Sequence, residues 1–550
     1  MALLLDLFAY LSVIVHGLTI VAQSMALGGV LFLVFLARPF AAELGEEGAA
    51  IRTATRQIAL WSMVALILSE GATLALQGSV LAGTIDLDLY GVLGAEFARF
   101  SLVKIAAAAV LAVMLAGRGD RVPAPLLLAG LAVVLAAATG TTHAAARLED
   151  RVPLMLVEAL HQLGAAIWIG GIPCFVMALG RCHDGIAWRR VGKRFSQMSM
   201  AGVACILVSG ITMSVLYVGA WDGFYGTAYG VMVGAKITMF LSLLALGGMN
   251  FLLVERLRAD PGTPVTRLKR FAEIEIGVGF TLFFAAASLT SSPPAVDLTR
   301  DRVSWAEIVE RNRPVWPRLA SPDHADLAIP ALQSKLDAQA AEQAKTPLPA
   351  FVEGAGYLPP RNAFDIAWSE YNHHWAGLFV LAIAALALLN QAGLRWARHW
   401  PLVFLGLAVF LFLRSDPEVW PLGDIGFFES LYDVEVVQHR FFVVLVVIFA
   451  VFEWRVRAGG LGRSRANLVF PLVCAVGGAA LLTHQHAIAN VKDQLLIELT
   501  HTPLALAALA AGWARWLELR LDPPGSRIAG WVWPVCFLVV GLLLLSYREA

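Results

Sequence analysis

The chain of 550 residues is poor in charge and in cysteine. Charged residues make up 15% of it, against about 25% in an average soluble domain. Apolar residues make up 58%, and the mean hydropathy is +0.70. The five cysteines show no CxxC spacing, so neither a disulfide framework nor a thiolate zinc site is indicated. These shortages argue against a soluble enzyme, a secreted disulfide scaffold and a disordered chain.

Other absences exclude particular chemistries. Basic and acidic residues number 41 each, so the composition indicates no nucleic-acid-binding surface. No GxxxxGK[ST] loop occurs, which argues against ATP-driven transport by this chain alone. No CxxCH occurs, so covalently attached haem is not expected. The N-terminal MALLLDLF lacks the basic start of a cleaved signal, so the first hydrophobic run is interpreted as a permanent span.

The sequence contains long apolar runs instead. A bilayer span needs about 20 mostly apolar residues, and helices satisfy their own backbone in lipid. The pattern predicts an all-α polytopic membrane helix bundle of about 14 transmembrane helices. The predicted spans lie near 8–36, 57–78, 98–117, 124–143, 153–179, 196–218, 229–254, 271–291, 373–391, 400–414, 437–454, 467–484, 495–514 and 529–547. The predicted domains are an eight-span domain at 1–291, a periplasmic Pro-rich loop at 292–371 and a six-span domain at 372–550.

The short connections between spans alternate in their Lys and Arg content. The basic connections are 37–56, 118–123, 180–195, 255–270, 392–399, 455–466 and 515–528. Basic loops stay in the cytoplasm. Both termini and the 292–371 segment are therefore predicted to lie on the opposite side, which in a bacterium is the periplasm.

Histidines concentrate on that outer side. Nine of the twelve fall at or near outer span ends. Eight of these are predicted metal ligands: His16, His143, His161, His373, His439, His484, His486 and His501. Histidine inside a membrane tends to face a bundle interior or a cavity, and neutral imidazole is the commonest metal ligand. The alternative is interfacial imidazoles that hydrogen-bond one another or lipid headgroups.

Two of the histidines lie three residues after a glutamate. Glu158-x-x-His161 and Glu498-x-x-His501 each place a carboxylate and an imidazole on one helix face, one turn apart. Each pair follows a span that ends in Thr-His: Thr142-His143 and Thr483-His484. The likeness predicts a parallel internal duplication in which spans 4–5 correspond to spans 12–13. Chance similarity between apolar helices is the alternative.

Further polar and sulfur side chains are predicted to support these ligands or to line a pathway. They are Glu70, Glu158, Lys236, Glu498, Met25 and Met213. Glu70 and Lys236 are charged residues inside predicted spans and are expected to face a cavity. The glutamates of the two repeats are expected to orient the neighbouring imidazoles. Thioethers suit Cu(I), although methionine also fills gaps in helix packing.

Paired glycines occur in the first and fifth predicted spans. They are Gly28-Gly29 and Gly170-Gly171. Because glycine allows two helix backbones to approach closely, these pairs predict tight helix packing.

The segment His161-Gln-Leu-Gly-Ala-Ala-Ile-Trp168-Ile-Gly170-Gly171 resembles a motif of the bacterial copper-resistance protein D (CopD) family. Eight spans with histidines near the outer face are similar to the membrane domain of that family. Three C-terminal stretches resemble extended members of it: Glu370-Tyr-Asn-His373-His374-Trp375, Leu413-Arg-Ser-Asp416-Pro-Glu418-Val-Trp420-Pro and His439-Arg-Phe-Phe.

The resemblance implies an inner-membrane protein that imports copper from periplasm to cytoplasm, with a periplasmic CopC-like copper carrier as its partner. The family's histidines carry over to His16, His143 and His161. This chain departs from the pattern in having no Met- and His-rich periplasmic tract, since the 292–371 segment holds only His324. That departure puts the docking of a copper donor in doubt.

The predicted function is copper binding at the outer face and transport across the membrane, for copper homeostasis or resistance, by a protein that is not an enzyme. The protein is expected to be surrounded by lipid, and neither nucleic acid nor ATP is an expected partner. Imidazole also suits zinc and iron, so the choice of copper rests largely on the resemblance. One alternative is a haem-b redox or haem-handling protein whose histidine pairs ligate haem axially. Another is a scaffold or assembly factor whose histidines serve only structure.

Overall fold

The computed structural model describes residues 2–85, 89–118, 121–146, 150–299, 302–322, 328–343, 362–460, 465–483 and 491–549. Within these ranges the regular secondary structure is helical, and the only β-pairing is an isolated bridge between Val419 and Ile425. The prediction of an all-α fold is confirmed. The chain divides near residue 300 into two compact units, and the second holds nearly all of the remaining chain.

The first unit contains thirteen α-helices within its described residues. They are α1 (Ala2–Phe32), α2 (Arg38–Glu43), α3 (Gly45–Ile85), α4 (Leu89–Gly94), α5 (Glu96–Arg118), α6 (Ala124–Thr139), α7 (His143–Ala146), α8 (Arg151–Ala165), α9 (Ile172–Arg181), α10 (Gly185–Tyr217), α11 (Trp221–Tyr225), α12 (Ala228–Ala259) and α13 (Thr266–Leu289). Two π-helical turns join consecutive helices, Leu33–Ala37 between α1 and α2 and Ala166–Gly170 between α8 and α9.

The second unit contains eight α-helices within its described residues. They are α14 (Trp305–Arg311), α15 (Ala328–Gln343), α16 (Ala363–Gln391), α17 (Val403–Arg414), α18 (Val434–Arg457), α19 (Val469–Thr483), α20 (Val491–Arg520) and α21 (Gly525–Leu545). Short 3₁₀ segments precede α17, α18 and α19, at Arg395–Leu402, Glu429–Tyr432 and Arg465–Leu468.

Among the described residues, twelve helical segments are long and apolar enough to cross a membrane. They correspond to twelve of the predicted spans. The other two predicted spans fall on α6, an apolar helix of 16 residues, and on α18, which has 24 residues. The molecule is therefore a multi-pass membrane protein, and the prediction of a polytopic helix bundle is confirmed.

Glycines set the closest helix approach in the first unit. A Cβ on Gly28 would lie 2.3 Å from the Ala166 carbonyl oxygen, and a Cβ on Gly170 would lie 2.0 Å from the Ser24 carbonyl oxygen. Only a residue without a side chain allows this contact between α1 and the π-turn. The predicted close packing at these glycines is confirmed. The contact fixes α8, which carries His161, against α1.

A second pair of glycines positions the C-terminal tail of the second unit. A Cβ on Gly377 of α16 would lie 2.7 Å from the Leu545 backbone nitrogen, and a Cβ on Gly541 would lie 2.8 Å from the Leu381 side chain. Because α16 and α21 approach this closely, the residues just after α21 lie beside the N-terminal half of α16. Tyr547 is thereby placed next to the histidines of that helix.

The segment predicted as a Pro-rich loop contains regular structure. Helices α14 and α15 lie inside it, and α16 begins at Ala363, before the predicted start of the third domain. A capping box explains the start of α14, because the Ser304 hydroxyl accepts from the Glu307 backbone N–H while the Glu307 carboxylate accepts from that of Ser304. The Asn362 side chain caps α16 by accepting from the Phe364 N–H.

Candidate functional site

The best-defined predicted ligand in the first unit is His161, on α8. Its Nδ1 lies 3.0 Å from the hydroxyl oxygen of Ser209 on α10. That hydroxyl donates its hydrogen to the Cys205 carbonyl, 2.6 Å away. Since the hydroxyl hydrogen is used there, the Ser209 oxygen accepts from His161, and Nδ1 carries the proton. The Nε2 of a neutral His161 is then the nitrogen with the lone pair, as a metal ligand requires.

A chain of amides holds the carboxylate one turn before this histidine. Gln23 on α1 donates to the Gln162 side-chain oxygen at 3.0 Å, and Gln162 donates to Glu158 at 3.0 Å. The three side chains link α1 to α8. Glu158 is thus fixed beside His161, on the helix face that the Glu-x-x-His spacing predicts.

Lys236, on α12, completes the charge balance of this cluster. Its ammonium group interacts electrostatically with both Glu158 and His161. A carboxylate and an ammonium inside an apolar bundle offset each other's desolvation cost. The structure therefore brings together three of the predicted residues, and we call His161, Glu158 and Lys236, with Gln23, Gln162 and Ser209, the first-unit cluster.

The other predicted residues of the first unit whose side chains the structure describes lie on α1, α3 and α10. Glu70, on α3, forms a buried ion pair with Lys104 on α5, with 2.8 Å between Oε2 and Nζ. His16 lies on α1, and the sulfurs of Met25 and Met213 belong to partly buried residues of α1 and α10. The side chain of His143 lies outside the described part of the chain, as do His484 and His486.

In the second unit, two predicted ligands lie side by side. The ring centres of His373 on α16 and His501 on α20 are 6.3 Å apart, with ring planes at 89°. Tyr547 stacks on His373 with 3.9 Å between ring centres, and its ring centre is 5.9 Å from that of His501. We call these three residues the second-unit cluster.

Hydrogen bonds to the helix backbone fix both imidazoles of this cluster. His373 Nδ1 lies 2.8 Å from the Ser369 carbonyl oxygen, and His501 Nδ1 lies 3.0 Å from the Ile497 carbonyl oxygen. A carbonyl oxygen only accepts, so each Nδ1 must carry the proton. In the neutral rings both lone pairs are then on Nε2.

The phenol and carboxylate beside these rings also have fixed roles. Tyr547 donates its hydroxyl hydrogen to Glu549, which also accepts from Ser369 at 2.7 Å. Burial and the neighbouring Glu549 raise the pKa of Tyr547, so the phenol stays protonated. Glu549 also interacts electrostatically with both imidazoles. A carboxylate therefore lies within electrostatic range of both imidazoles.

His374 and His439 have hydrogen-bond partners different from those of His373 and His501. His374 accepts from the Arg318 backbone N–H at 2.7 Å through Nδ1 and donates to the Tyr547 carbonyl at 2.8 Å through Nε2. Both of its nitrogens are thus occupied by backbone. His439, a predicted ligand on α18, pairs through Nδ1 with Asp416 at 2.7 Å. This carboxylate contact would orient its ring.

Glu498, the last of the predicted supporting residues, repeats a feature of Glu158. The residue after the histidine donates back to it in both units, Thr502 to Glu498 at 3.3 Å and Gln162 to Glu158 at 3.0 Å. This shared pattern favours the proposed internal duplication, which stays a prediction. Within the described ranges, no group of three or more His, Cys, Asp or Glu side chains is arranged to hold a metal ion.

One buried polar group was missed at the sequence level. Glu275 on α13 accepts a 2.6 Å hydrogen bond from Asn250 on α12, and the Trp168 indole also hydrogen-bonds to it. Both carboxylate and amide side chains are buried. A glutamate inside the predicted span 271–291 was the available signal. It links the π-turn after α8 to α12 and α13.

Comparison with known proteins finds two partial matches. Residues 189–289 match the family model described as Copper resistance protein D. Copper transport protein CutJ of Bacillus subtilis (strain 168) is 32% identical over 164 residues, which are 29% of this chain and 29% of that protein. The matched region thus spans less than a third of this curated relative. No solved structure matches the chain.

Both printed names describe the handling of copper rather than an enzymatic reaction. The family match covers most of α10 and all of α12 and α13, the helices that contribute Ser209, Lys236, Asn250 and Glu275. Residues 189–289 of this multi-pass membrane protein are thus similar to the copper resistance protein D (CopD) family.

Proposed function

We propose that this protein binds copper at the outer side of the bacterial inner membrane and moves it from the periplasm to the cytoplasm. The observation that carries the proposal is the His161 imidazole, whose Nδ1–H is held by Ser209 on another helix. The first-unit cluster lies within the bundle that contains the CopD match. Imidazole nitrogen is a suitable ligand for copper, and copper is the metal in the names of both matches.

The charges of the first-unit cluster suit a site that binds copper and then releases it. In the absence of copper, Lys236 offsets the Glu158 carboxylate. An arriving copper ion binds His161 and competes with the ammonium for that carboxylate, because both are cations. When the ion leaves, the Lys236 ammonium again offsets the Glu158 charge. Lys236 thereby limits how tightly copper is held, as a transporter that must release its cargo requires.

The proposed direction of transport follows from the predicted orientation of the chain in the membrane. The basic loops predict that the N-terminal end of α8, and with it this cluster, faces the periplasm. Copper would then enter from that side, where both termini are also expected. We propose a soluble periplasmic copper carrier of the CopC type as the donor, with lipid as the surroundings.

The test uses the purified full chain in liposomes that enclose a Cu(I)-sensitive dye. His161→Gln is expected to lower the initial rate of copper entry at least about tenfold, because it removes a ligand nitrogen. His183→Gln is the matched control. This histidine is on the opposite side, is 82% exposed and contacts Glu47 at 2.7 Å, so its replacement should leave the rate unchanged.

Two outcomes contradict the proposal. One is equal copper entry by the His161→Gln and unchanged proteins. The other is a visible Soret band in the same sample that is lost in His161→Gln, since it assigns this histidine to haem. Elemental analysis of the sample before reconstitution gives its copper content independently of transport.

A further inference from the structure

We propose that Glu275 and Asn250 form a proton-binding site in the first unit, and that copper displaces this proton on its way to the cytoplasm. The site is built from contacts between α12, α13 and the π-turn after α8. The displacement step rests on the proposed function, because it requires copper to pass through the first unit. The binding of copper at His161 uses neither of these two residues.

The Glu275 carboxyl group is buried among neutral partners. Its Oε1 accepts a 2.6 Å hydrogen bond from the Asn250 Nδ2, and the Trp168 indole also hydrogen-bonds to the carboxyl group. The residue is 4% exposed. An ionised carboxylate that is taken out of water is costly unless a cation pairs with it. Where both hydrogen-bond partners are uncharged, a bound proton removes that cost.

Other buried glutamates in the helices have a basic partner instead. Glu70 pairs with Lys104 at 2.8 Å, and Glu453 pairs with Arg457 at 2.6 Å. In these pairs the basic side chain neutralises the carboxylate. At Glu275 the proton takes that role.

Titratable groups on the surrounding helices do not take the place of this proton. The buried or half-buried ones described on the helices packed against α13 are Tyr229, Lys236 and Glu255 on α12, Cys174 on α9 and His16 on α1. On α13 itself, Glu273 and Arg270 pair with each other. Within the described ranges, the groups that act on the Glu275 carboxyl are Asn250 and Trp168.

The Asn250 amide supplies a second sign of a missing proton. Its nitrogen donates to Glu275, whereas its side-chain oxygen is buried without a hydrogen-bond partner. An unpaired buried acceptor costs about 1–3 kcal/mol. A protonated Glu275 provides the missing donor, because a carboxylic acid both donates and accepts and an amide does the same. Rotation of the two terminal groups about their own bonds is enough to bring the O–H to the amide oxygen.

A glycine leaves space beside the other carboxyl oxygen. A Cβ on Gly247 of α12 would lie 3.7 Å from the Glu275 Oε2 and 3.6 Å from the Trp168 side chain. These are ordinary contact distances, so the absent side chain leaves a gap of about the size of a methyl group. Gly247 is only half-buried. We infer that copper or water meets the carboxyl group at this gap.

The site lies beyond His161 on the proposed path. Trp168 follows His161 by seven residues through α8 and the π-turn, which is about 10 Å along the helix axis. On the other side, Glu275 is nine residues after the start of α13 at Thr266, about 14 Å from the end that the loop charges place in the cytoplasm. A copper ion that leaves His161 inward therefore approaches this carboxyl group.

The exchange step balances in charge. When Cu(I) arrives, the Glu275 O–H bond breaks, the proton passes to water on the predicted cytoplasmic side, and the carboxylate attracts the ion. When the ion leaves, the carboxylate takes a proton back from that water. Copper is neither oxidised nor reduced. The site is neutral with the proton bound and neutral with Cu(I) beside the carboxylate, so neither state leaves an unpaired charge inside the bundle.

The experiment is infrared difference spectroscopy of the purified full chain before and after addition of Cu(I), with ascorbate present in both samples. The copper-free protein should show the C=O stretching band of a protonated carboxyl group, and copper should remove it. A pH-indicator dye in weak buffer should report about one proton released by this group at about pH 8, where an ordinary histidine is already neutral. Elemental analysis of the same sample gives the bound copper.

Three variants assign the band. Glu275→Gln should lack it and should release no proton. Glu273→Gln is the matched control, because its carboxylate is on the same helix but pairs with Arg270, and it should keep both signals. Asn250→Leu should keep the band but move it to higher frequency, because the carboxyl group loses a hydrogen-bond partner. The last variant also tests the site if Glu275→Gln does not fold.

Each result decides one part of the proposal. A copper-free spectrum without the band, or a band that persists unchanged in Glu275→Gln, would overturn the proton-binding site. A band that stays while copper is bound would overturn the displacement by copper. If the unchanged protein binds no copper, the proposed function fails, whereas a band that Glu275→Gln removes still supports the proton-binding site.

Discussion

Replacing Lys104 by methionine should be among the most destabilising single changes in the first unit. Its Nζ is 2.8 Å from Glu70 Oε2, and the two side chains are only 4% and 3% exposed. At this separation the attraction is about 6 kcal/mol with an effective dielectric constant of about 20. Desolvation of both ions cancels much of that gain. Removing one partner nevertheless leaves a buried unpaired charge, which costs about 3–5 kcal/mol.

The double replacement Glu70→Gln/Lys104→Met should recover most of this loss. Neither charge then remains, so the desolvation cost disappears together with the attraction. Glu70→Gln alone should be costly because the ammonium of Lys104 is left without its carboxylate. If each single replacement costs about 3–5 kcal/mol and the double replacement about 1 kcal/mol, the coupling energy from the double-mutant cycle is about 5–9 kcal/mol in favour of the pair.

The assay is unfolding of the purified full chain by increasing sodium dodecyl sulfate in mixed micelles, followed by helical circular dichroism. Glu273→Gln is a control, since that carboxylate pairs with Arg270 near a helix end and is 20% exposed. A loss below about 1 kcal/mol for Lys104→Met would refute the reasoning, because it would mean that water reaches the pair. Normal copper entry by the double variant would in addition remove Glu70 from the pathway.

Further predictions concern single sites. Gly170→Ala should destabilise the first unit by more than about 2 kcal/mol in the same assay, because its Cβ would lie 2.0 Å from the Ser24 carbonyl oxygen. Burial, followed by the nearby Glu47 carboxylate, raises the pKa of Cys182 to about 12. Alkylation of this thiol by iodoacetamide at pH 8, measured by mass spectrometry, should be at least about a thousandfold slower than that of free cysteine. His374→Ala should lower stability by about 2–4 kcal/mol through two unpaired backbone groups, yet leave bound copper unchanged.

The membrane architecture could be predicted from the sequence because hydropathy and loop charge are both averaged over many residues. Misjudging one residue changes the mean hydropathy of a 20-residue window too little to lose a predicted span. The helices inside 292–371 were harder to predict because they are short and polar. For α14 a signal was nevertheless present, since Ser304 and Glu307 have the spacing of a capping box. The π-turn at Ala166–Gly170 had no such signal, because it results from the contact with Ser24 on another helix.

The candidate sites could be predicted only in part from the sequence. The Glu-x-x-His spacing placed Glu158 and His161 on one face, since helical geometry alone sets that relation. The partner of His161, Ser209, could not be predicted, because the rotation of α10 about its axis depends on packing in three dimensions. Asn250 and Glu275 were missed for the same reason. The position of Glu275 inside a predicted span was a signal, but its pairing with Asn250 arises only when α12 packs on α13.

Histidine position along a span is a weaker guide to metal binding than the hydrogen bond that each ring makes. His373 and His374 are adjacent and equally deep, yet one has its Nδ1–H on a carbonyl oxygen and the other has both nitrogens engaged by backbone. Neighbouring residues of a helix point about 100° apart, so His373 contacts His501 and the Tyr547 ring, whereas His374 contacts the Tyr547 carbonyl and the Arg318 backbone. An ion can bind only where a lone pair remains, and that condition excludes His374. Copper stoichiometry should therefore fall when His161 is replaced and stay unchanged when His374 is replaced.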